Sequence, residues 1–364
     1  MTARLAYFVT PHGFGHAARA CAVIQALWAR RSDLQVELFT TTPRWFFAES
    51  LRRRFGYHPC QCDVGLVQAT SLHEDLAATA RRLREALPYP RRRVEELAAT
   101  VTALGCRAVV CDVAALGVAV ARCAGLPAVV VENFTWDWIY AAYAGEHPAF
   151  AEAAAYLAEV LAGATRRIQC EPACAPLPGA LGAPPIWRAP RHPAGEVRRR
   201  LGVENGRPLV LLTMGGVPWR WDRLDRLATS GDAVWVIPGA ADVHERRGQC
   251  VLLPHRTGFY HPDLVRAADL VVGKLGYSTV AEVVGLWRRF AFVPRPSFPE
   301  SPVLEAYVRA RGACAEIPPE RFASLEWASQ VRELLVGPVP PLEERPSGAL
   351  VVAQEVLIIA DLVA

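Results

Sequence analysis

The stretch 5–27, LAYFVTPHGFGHAARACAVIQAL, changes its hydrophobic period in the middle and indicates the fold class of the chain. Residues 5–10 form a nearly continuous apolar run, as in a buried strand, and residues 17–27 are alanine-rich with apolar residues at helical spacing. A short polar loop, 11–15, separates the two. The stretch therefore predicts a strand, a tight loop and a helix, which is the opening of an α/β unit.

The loop and the helix start are a candidate site for an anion or a polar reacting group. Gly13 and Gly15 let the backbone turn sharply and approach a ligand, and the helix offers unpaired N–H groups. His12 and His16 flank these glycines, and His16 falls in the first helical turn. A helix N-terminus favours the neutral imidazole, which can accept a proton. We therefore take His16 as a candidate general base and the other three residues as candidate cleft residues.

Two other interpretations of this loop stay open. Gly13-x-Gly15-x-x-Ala18 satisfies the relaxed dinucleotide fingerprint, but the second strand, 36–40, carries Glu37 inside it and ends in threonines. The fingerprint expects an acidic residue at the end of that strand. In the second interpretation the glycines only shape a turn and His16 only caps the helix.

Length and composition limit the possible classes of protein. A chain of 364 residues with 52% hydrophobic content predicts two cores, and a net charge of +4 gives no general argument for nucleic acid. No apolar run approaches the roughly 20 residues that span a bilayer, and the chain start leads into a strand, so we expect a cytoplasmic protein. Cys60-x-Cys62 and Cys170-x-x-x-Cys174 lack second halves with zinc-site spacing, so we expect no metal site.

Strands and helices alternate through the first half. The predicted elements after the opening unit are a strand at 36–40, a helix at 44–54, a helical region at 72–104, a strand at 108–111, a helix at 116–124 and a strand at 128–131. Such alternation predicts a parallel sheet, whose strands present their carboxyl ends to one ligand crevice. Asp112, Glu132 and Asn133 follow these strands and are candidates for that edge.

An aromatic cluster follows directly: Phe134, Trp136, Asp137, Trp138 and Tyr140. It is typical of a packing plug, and stacking on sugar faces is the alternative. We include Trp136 and Asp137 among the candidate cleft residues.

A proline-dense segment, 172–193, interrupts the alternation and cannot form a continuous helix or central strand. We therefore predict a first domain at 1–175, a linker at 176–195, a second domain at 196–346 and a C-terminal helix at 347–364. That helix either packs back on the first domain or ends the second.

The second half repeats the architecture. We predict strands at 208–213, 233–238, 250–253, 269–272 and 289–293, and helices from about residue 222, within 259–268 and at 279–286. Glycine loops follow two of these strands, at 214–218 and 273–278. They make Gly215, Gly216, Lys274, Gly276, Tyr277 and Ser278 candidate ligands of an anion.

The segment 262–282, PDLVRAADLVVGKLGYSTVAE, together with the first loop, resembles GT-B glycosyltransferases. The sequences GFGH at 13–16, NFTWDWIY at 133–140 and KLGY at 274–277 resemble the glycosyltransferase-like half that precedes the kinase in L-arabinokinases. The resemblance covers nearly the whole chain and implies two Rossmann-like, doubly wound α/β domains that face each other across a cleft. It also implies that Glu282 holds the donor ribose, although Thr279-x-x-Glu282 is equally a capping box. Lys274 and Leu275 depart from the pattern of many transferases.

The resemblance and the residues together predict a metal-independent transfer of a sugar from a nucleotide-sugar to a hydroxyl acceptor, with no cofactor. No Asp-x-Asp pair, which a metal-dependent transferase of the other fold would carry, occurs in the sequence. The mechanistic hypothesis is that Asp112 orients His16 as the base. A non-catalytic sugar-nucleotide-binding or regulatory module, and an epimerase or hydrolase on the same fold, are the alternatives.

Aromatic and basic residues of the first half raise the question of membrane contact. They are Trp45, Phe46 and Phe47, followed by arginines at 52–54, 81, 82, 84 and 91–93. Such a mixture can meet anionic lipid. We favour solvated arginines over a packed aromatic core, with peripheral membrane contact as the alternative.

Overall fold

The computed structural model describes residues 3–70, 72–204, 206–215, 219, 221, 223–229, 233–311, 313–337 and 346–362. The chain divides into two compact units. Unit 1 comprises Met1–Ala69, Glu74–Trp187 and Pro346–Ala364, and unit 2 comprises Thr70–His73 and Arg188–Arg345.

Unit 1 contains a sheet of seven parallel strands with helices between them. The elements are β1 (Arg4–Val9), α1 (Gly15–Arg30), β2 (Gln35–Thr40), α2 (Arg44–Ser50), β3 (Gly56–Pro59), α3 (Leu76–Ala86), α4 (Arg91–Ala103), β4 (Cys106–Asp112), α5 (Ala115–Ala124), β5 (Ala128–Glu132), α6 (Trp136–Ala141), α7 (Pro148–Leu161), β6 (Arg166–Cys170) and β7 (Leu181–Ala183). The strand order is β3-β2-β1-β4-β5-β6-β7. The order reverses between β1 and β4, which places the ligand crevice of such a sheet beyond their carboxyl ends.

Unit 2 contains a second seven-stranded sheet. Its elements are α8 (Ala194–Arg200), β8 (Leu209–Thr213), α9 (Leu224–Ala228), β9 (Val234–Pro238), β10 (Glu245–Arg247), β11 (Cys250–Leu253), α10 (His261–Ala267), β12 (Leu270–Lys274), α11 (Tyr277–Gly285), β13 (Arg289–Val293), α12 (Ser301–Arg309), β14 (Cys314–Glu316), α13 (Pro319–Phe322) and α14 (Ala328–Val336). The order is β10-β11-β9-β8-β12-β13-β14, and only β10 is antiparallel among the described strands. The reversal here lies between β8 and β12.

The central strands form because both faces of each sheet are covered by helices. Residues 5–9 of β1 are fully buried, as are residues 209–212 of β8 to within 1%, and such continuous apolar runs are typical of parallel strands. The last helix, α15 (Ala349–Ile359), packs against α1 within unit 1. The predicted α/β class with two doubly wound parallel sheets is confirmed.

Several predicted boundaries differ from the structure for local reasons. The helix predicted at 44–54 ends at Ser50, because the chain there turns into β3, which the sequence analysis missed. The helical region at 72–104 is two helices, interrupted by Pro88 and Pro90. The segment predicted as a linker contains β7, a three-residue edge strand, where neighbouring prolines are tolerated. Residue 222, the predicted helix start, lies outside the described residues.

Candidate active site

A buried polar cluster lies at the carboxyl ends of β1, β4 and β5, where the strand order of unit 1 reverses. Asp112 ends β4 and is fully buried, and Asn133 follows β5 and is also fully buried. His16 lies in the first turn of α1, and 8% of its surface is exposed. The structure therefore brings His16, Asp112 and Asn133 to one edge of the sheet, as the topology of parallel strands requires.

His16 and Asp112 are joined by a hydrogen bond. The Nδ1 atom of His16 lies 2.9 Å from Oδ1 of Asp112. A carboxylate can only accept, so Nδ1 carries the hydrogen and donates it. In the neutral ring the lone pair is then on Nε2, which can take a proton from another group.

Arg19 is the third member of this cluster, and the sequence analysis missed it. It lies one helical turn after His16 and is 1% exposed. Its Nε donates to Asp112 Oδ2 at 2.8 Å, its Nη2 to Oδ1 at 2.6 Å and its Nη1 to Asn133 Oδ1 at 2.9 Å. The signal available in the sequence was a charged residue three positions after His16 on an otherwise alanine-rich helix face.

The charge of Arg19 decides the protonation state of Asp112. Burial by itself raises the pKa of the Asp112 carboxyl, but the Arg19 guanidinium and the hydrogen bonds from Arg19 and His16 outweigh it. The net result is a pKa below the usual value. Asp112 is therefore an ionised acceptor that fixes the ring of His16.

The residue after Asp112 is backbone-strained. Val113 has φ 61°, a left-handed conformation that a β-branched residue rarely adopts. Its N–H donates to Val131 O, and the Thr10 N–H donates to Asp112 O. Hydrogen bonds from neighbouring strands thus hold the turn that ends β4 at the candidate base, and local strain of this kind is concentrated at functional sites.

The remaining first-loop candidates surround the cluster with different exposures. Gly13 has φ +74°, the conformation that favours glycine, and Gly15 is the first residue of α1. The His12 ring meets the Trp136 ring edge-on, with centroids 5.0 Å apart. Trp136 is 1% exposed and donates from Nε1 to Thr10 Oγ1 at 3.3 Å. Trp136 is therefore part of the packing beneath the loop.

Glu132 and Asp137 lie on another side of this edge, beside a cavity of about 450 Å³. Arg167 in β6 grips the Glu132 carboxylate, with Nε donating to Oε2 at 3.0 Å and Nη2 to Oε1 at 2.7 Å. Burial raises the pKa of Glu132, and the opposing effect of Arg167 does not cancel the rise. Glu132 is thus bound to β6, and Asp112 is the carboxylate that contacts His16.

In unit 2 the glycine loops meet one lysine. Gly215 follows β8 with φ +66°, and Gly276 is the N-cap of α11. A Cβ placed on Gly215 or Gly276 would lie 3.9 or 4.0 Å from Lys274 Cε, so the lysine stem passes beside both glycines. Gly216 lies outside the described residues. Main-chain N–H groups and one ammonium form a suitable environment for a phosphate.

The other donor-side candidates lie in α11. Tyr277 is buried and Ser278 is half-buried in its first turn. Glu282 is 2% exposed, and its carboxylate accepts from Arg188 Nε at 2.9 Å and from His261 Nδ1 at 3.0 Å. Burial raises the pKa of Glu282, but the combined lowering by Arg188 and His261 is larger, so the net pKa lies below the usual value. The sequence analysis missed both partners, which are 94 and 21 residues away.

The described residues show how the groups considered for metal and lipid contact are placed. Among them, no group of three or more histidines, cysteines, aspartates or glutamates could hold a metal ion.

None of the helices described above has both the length and the apolar character needed to span a bilayer. Phe46 and Phe47 are buried, and Arg91 and Arg92 pair with Glu95 and Glu96 one turn along α4.

Comparison with known proteins gives two relatives in sequence. L-arabinokinase from Arabidopsis thaliana is 31% identical over 314 residues, which are 82% of this chain and 29% of that protein. An uncharacterised glycosyltransferase from Methanopyrus kandleri is 26% identical over 156 residues, 41% of this chain and 44% of that protein. The chain thus matches less than half the length of either relative. No protein-family model matches the sequence.

Comparison of structures identifies the fold. The glycosyltransferase of kitacinnamycin superposes with a TM-score of 0.65 at 14% identity, covering 98% of both chains. The glycosyltransferase VinC, solved with dTDP, gives 0.60 at 14% identity, covering 99% of this chain and 96% of its own. A glycosyltransferase of Arabidopsis thaliana, solved with UDP, gives 0.61 at 12% identity over the full length of both. The expected GT-B fold and the similarity to L-arabinokinase are therefore confirmed.

Proposed function

We propose that this GT-B-fold chain transfers a sugar from a nucleotide-sugar to a hydroxyl acceptor, with unit 1 binding the acceptor and unit 2 the donor. The observation that carries the proposal is the buried His16–Asp112 hydrogen bond at the strand-order reversal of unit 1. A histidine held by an ionised carboxylate at the ligand edge of a sheet is the arrangement that a general base needs.

In this mechanism His16 Nε2 takes the proton of the acceptor hydroxyl. The acceptor oxygen bonds to the anomeric carbon of the donor, and the bond from that carbon to the diphosphate oxygen breaks. The nucleoside diphosphate leaves with the electron pair of that bond. Asp112 stabilises the imidazolium that forms, and Arg19 keeps Asp112 ionised throughout.

The departing diphosphate would be neutralised in unit 2. Lys274 supplies a positive charge beside Gly215 and Gly276, and the N-terminus of α11 supplies unpaired N–H groups. We propose that these groups replace a metal ion and that no cofactor takes part. Glu282 is proposed to hold the ribose through lone pairs left beyond its bonds to Arg188 and His261. A cytoplasmic location is part of the same proposal.

A non-catalytic sugar-nucleotide-binding module is the second candidate. The match to L-arabinokinase covers only 29% of that protein, so the similarity does not assign that protein's activity to this segment. This candidate predicts nucleotide-sugar binding without turnover, which separates it from the first.

The test starts with a thermal-shift panel of UDP, GDP, ADP and dTDP sugars, because a ligand of the native state raises the apparent stability. Release of the nucleoside diphosphate from the binding donor is then measured with a panel of hydroxyl acceptors. We expect His16→Ala to lower kcat by roughly two to four powers of ten and to leave donor affinity unchanged. His244→Ala, which changes an exposed histidine of unit 2, is the control.

Two results would contradict the catalytic proposal. One is a His16→Ala protein that keeps full kcat per folded molecule. The other is tight donor binding with no diphosphate release by the unaltered chain, which would favour the non-catalytic module.

A further inference from the structure

The cavity beside Glu132 and Asp137 belongs to unit 1 and has a polar floor under apolar walls. Its volume of about 450 Å³ falls in the range of small-molecule sites. Glu132 of β5 and Arg167 and Gln169 of β6 line its polar part, which we call the floor, and residues of α6 and α7 together with Ala175 and Leu177 line most of the rest. Its apolar lining includes Phe134, Trp138, Leu177 and several alanines, among them Ala154.

Most polar groups on the floor already have partners. Arg167 is bidentate to Glu132. Gln169 donates to Glu132 Oε1 at 3.1 Å and to Ala175 O at 2.9 Å, and its Oε1 accepts from Leu177 N at 2.8 Å. These contacts fix the floor in one arrangement, so the cavity is preformed.

Asp137 is different. Its Oδ1 is buried and accepts no hydrogen bond from the described residues. A buried acceptor without a donor is costly and rare, so this oxygen calls for a partner. Asp137 lines the cavity, and the χ2 torsion of an aspartate is broad, so the carboxylate can turn toward a donor there at little cost. A hydroxyl of a bound ligand would supply the donor that this oxygen lacks.

The charge of the cavity selects among such ligands. Arg167 is paired with Glu132, which leaves the Asp137 carboxylate without an ion pair among the described lining residues. An anionic ligand would be repelled, whereas a neutral polyhydroxyl compound would supply donors to Asp137 and an apolar ring face to Trp138 or Phe134. Aromatic and acidic side chains in one small cavity suit a sugar better than a flat hydrophobic compound.

The cavity is also connected to the candidate base. Phe134 lines it and meets the His16 ring edge-on, with centroids 5.7 Å apart. Asn133 lines it and accepts from Arg19 Nη1, which belongs to the guanidinium that grips Asp112. Phe134 therefore lies between the cavity and His16, and Asn133 lies between the cavity and Arg19.

We infer that this cavity holds the acceptor and that the acceptor is a neutral polyhydroxylated compound of monosaccharide size, recognised through Asp137. The inference rests on the proposed transferase function but is tested by binding alone. Acidic sugars and phosphorylated sugars are excluded as acceptors by the same charge.

The experiment is calorimetry on the full chain without donor, with methyl glucoside as the neutral probe and glucuronate as its anionic analogue. We expect the neutral probe to bind in the millimolar range and glucuronate at least about tenfold more weakly. Asp137→Ala should weaken the neutral probe about tenfold or more, because a charge-assisted hydrogen bond is lost. Asp137→Asn should narrow the difference between the two probes, because it removes the charge and keeps the shape.

Two further variants complete the design. Ala154→Leu fills the cavity without changing charge and should weaken both probes. Glu152→Gln removes a charge from the exposed side of α7, outside the lining, and should change neither. Ala154→Leu also keeps the inference testable if the Asp137 variants do not fold.

The outcomes separate this inference from the proposed function. Probe binding that is sensitive to Asp137 supports the inference even in a chain that transfers nothing, which would refute only the transferase. Transfer with an acceptor KM unchanged by Asp137→Ala and Ala154→Leu overturns the inference alone. The inference is also overturned if methyl glucoside does not bind, or if glucuronate binds as tightly as methyl glucoside.

Discussion

Replacing Arg19 by methionine tests whether the buried ion pair holds the candidate active site together. Arg19 is 1% exposed and Asp112 is fully buried, so Arg19→Met keeps much of the volume but leaves the carboxylate without its cation. Breaking one side of a buried ion pair costs about 3–5 kcal/mol. That cost is a large part of the roughly 5–15 kcal/mol by which a typical domain is stable.

The pH dependence of this loss has a definite sign. In the unaltered chain the pKa of Asp112 is below its ordinary value of 3.8, so its stabilisation is fully present above that value and is lost as the pH falls through the folded-state pKa. Without Arg19 only the contact with His16 still lowers the pKa of Asp112, and burial, which has the largest effect and raises it, is then opposed less, so we expect a pKa above the unfolded value. The variant then loses stability as the pH rises from 3.8, so the difference between the two proteins is largest at neutral pH and narrows in acid.

Hydrogen exchange measured on peptides of β1 and β4 is the suitable assay. The chain has 10 tryptophans spread over both units, so fluorescence would mix two transitions, whereas peptide exchange reports the opening of unit 1. Arg30→Met, at the exposed end of α1, is the matched control and should change stability by less than about 0.5 kcal/mol. Adding Asp112→Asn to Arg19→Met should recover part of the loss, because no charge is then buried.

A loss of less than about 1 kcal/mol in the free energy of unfolding of Arg19→Met at neutral pH would contradict a role for this ion pair in stability. Two further results would contradict it: a loss that does not change between neutral and acid pH, and an Asp112→Asn substitution that adds its full cost to that of Arg19→Met.

Two further predictions concern single side chains. Lys274→Ala should weaken nucleotide-sugar binding by about ten- to a hundredfold in calorimetry and leave acceptor-probe binding unchanged, because it removes the positive charge beside Gly215 and Gly276; unchanged donor affinity would remove Lys274 from the site. Burial raises the pKa of Asp63 to about 8 from 3.8, so the native chain keeps a proton that the unfolded chain releases, and stability falls as the pH rises through that window. Asp63→Asn lacks this titration, so its free energy of unfolding should rise relative to that of the unaltered chain by on the order of 1 kcal/mol or more between about pH 5 and pH 8. Hydrogen exchange measures this difference, and a difference that stays constant with pH would contradict the raised pKa of Asp63.

The central architecture could be predicted from the sequence because its signals are local. Continuous apolar runs mark β1, β4, β5, β8 and β12 within a few residues, and glycine loops follow β1, β8 and β12. The rule that parallel strands share a ligand edge then placed Asp112 near the His16 loop. Short edge strands such as β3 and β7 were missed, because a few residues beside prolines give no periodicity to detect.

The partners of the buried carboxylates could not be predicted, because nothing local announces them. Arg19 contacts Asp112 across 93 residues, and Arg188 contacts Glu282 across 94. Arginine is expected at the surface unless it is paired, so the sequence alone favours exposure for both. Only the folded structure shows that each of these arginines lies beside a buried carboxylate and pairs with it.

The two units share one arrangement of charged side chains. In each unit a buried carboxylate contacts one arginine and one histidine: Asp112 with Arg19 and His16, and Glu282 with Arg188 and His261. A buried carboxylate needs a positive charge, and if histidine alone supplied it the ring would have to stay protonated. The arginine supplies that charge, so the histidine can give or take a proton without leaving the carboxylate uncompensated. We therefore expect Arg19→Met to impair proton transfer by the buried His16 as well as the stability of unit 1.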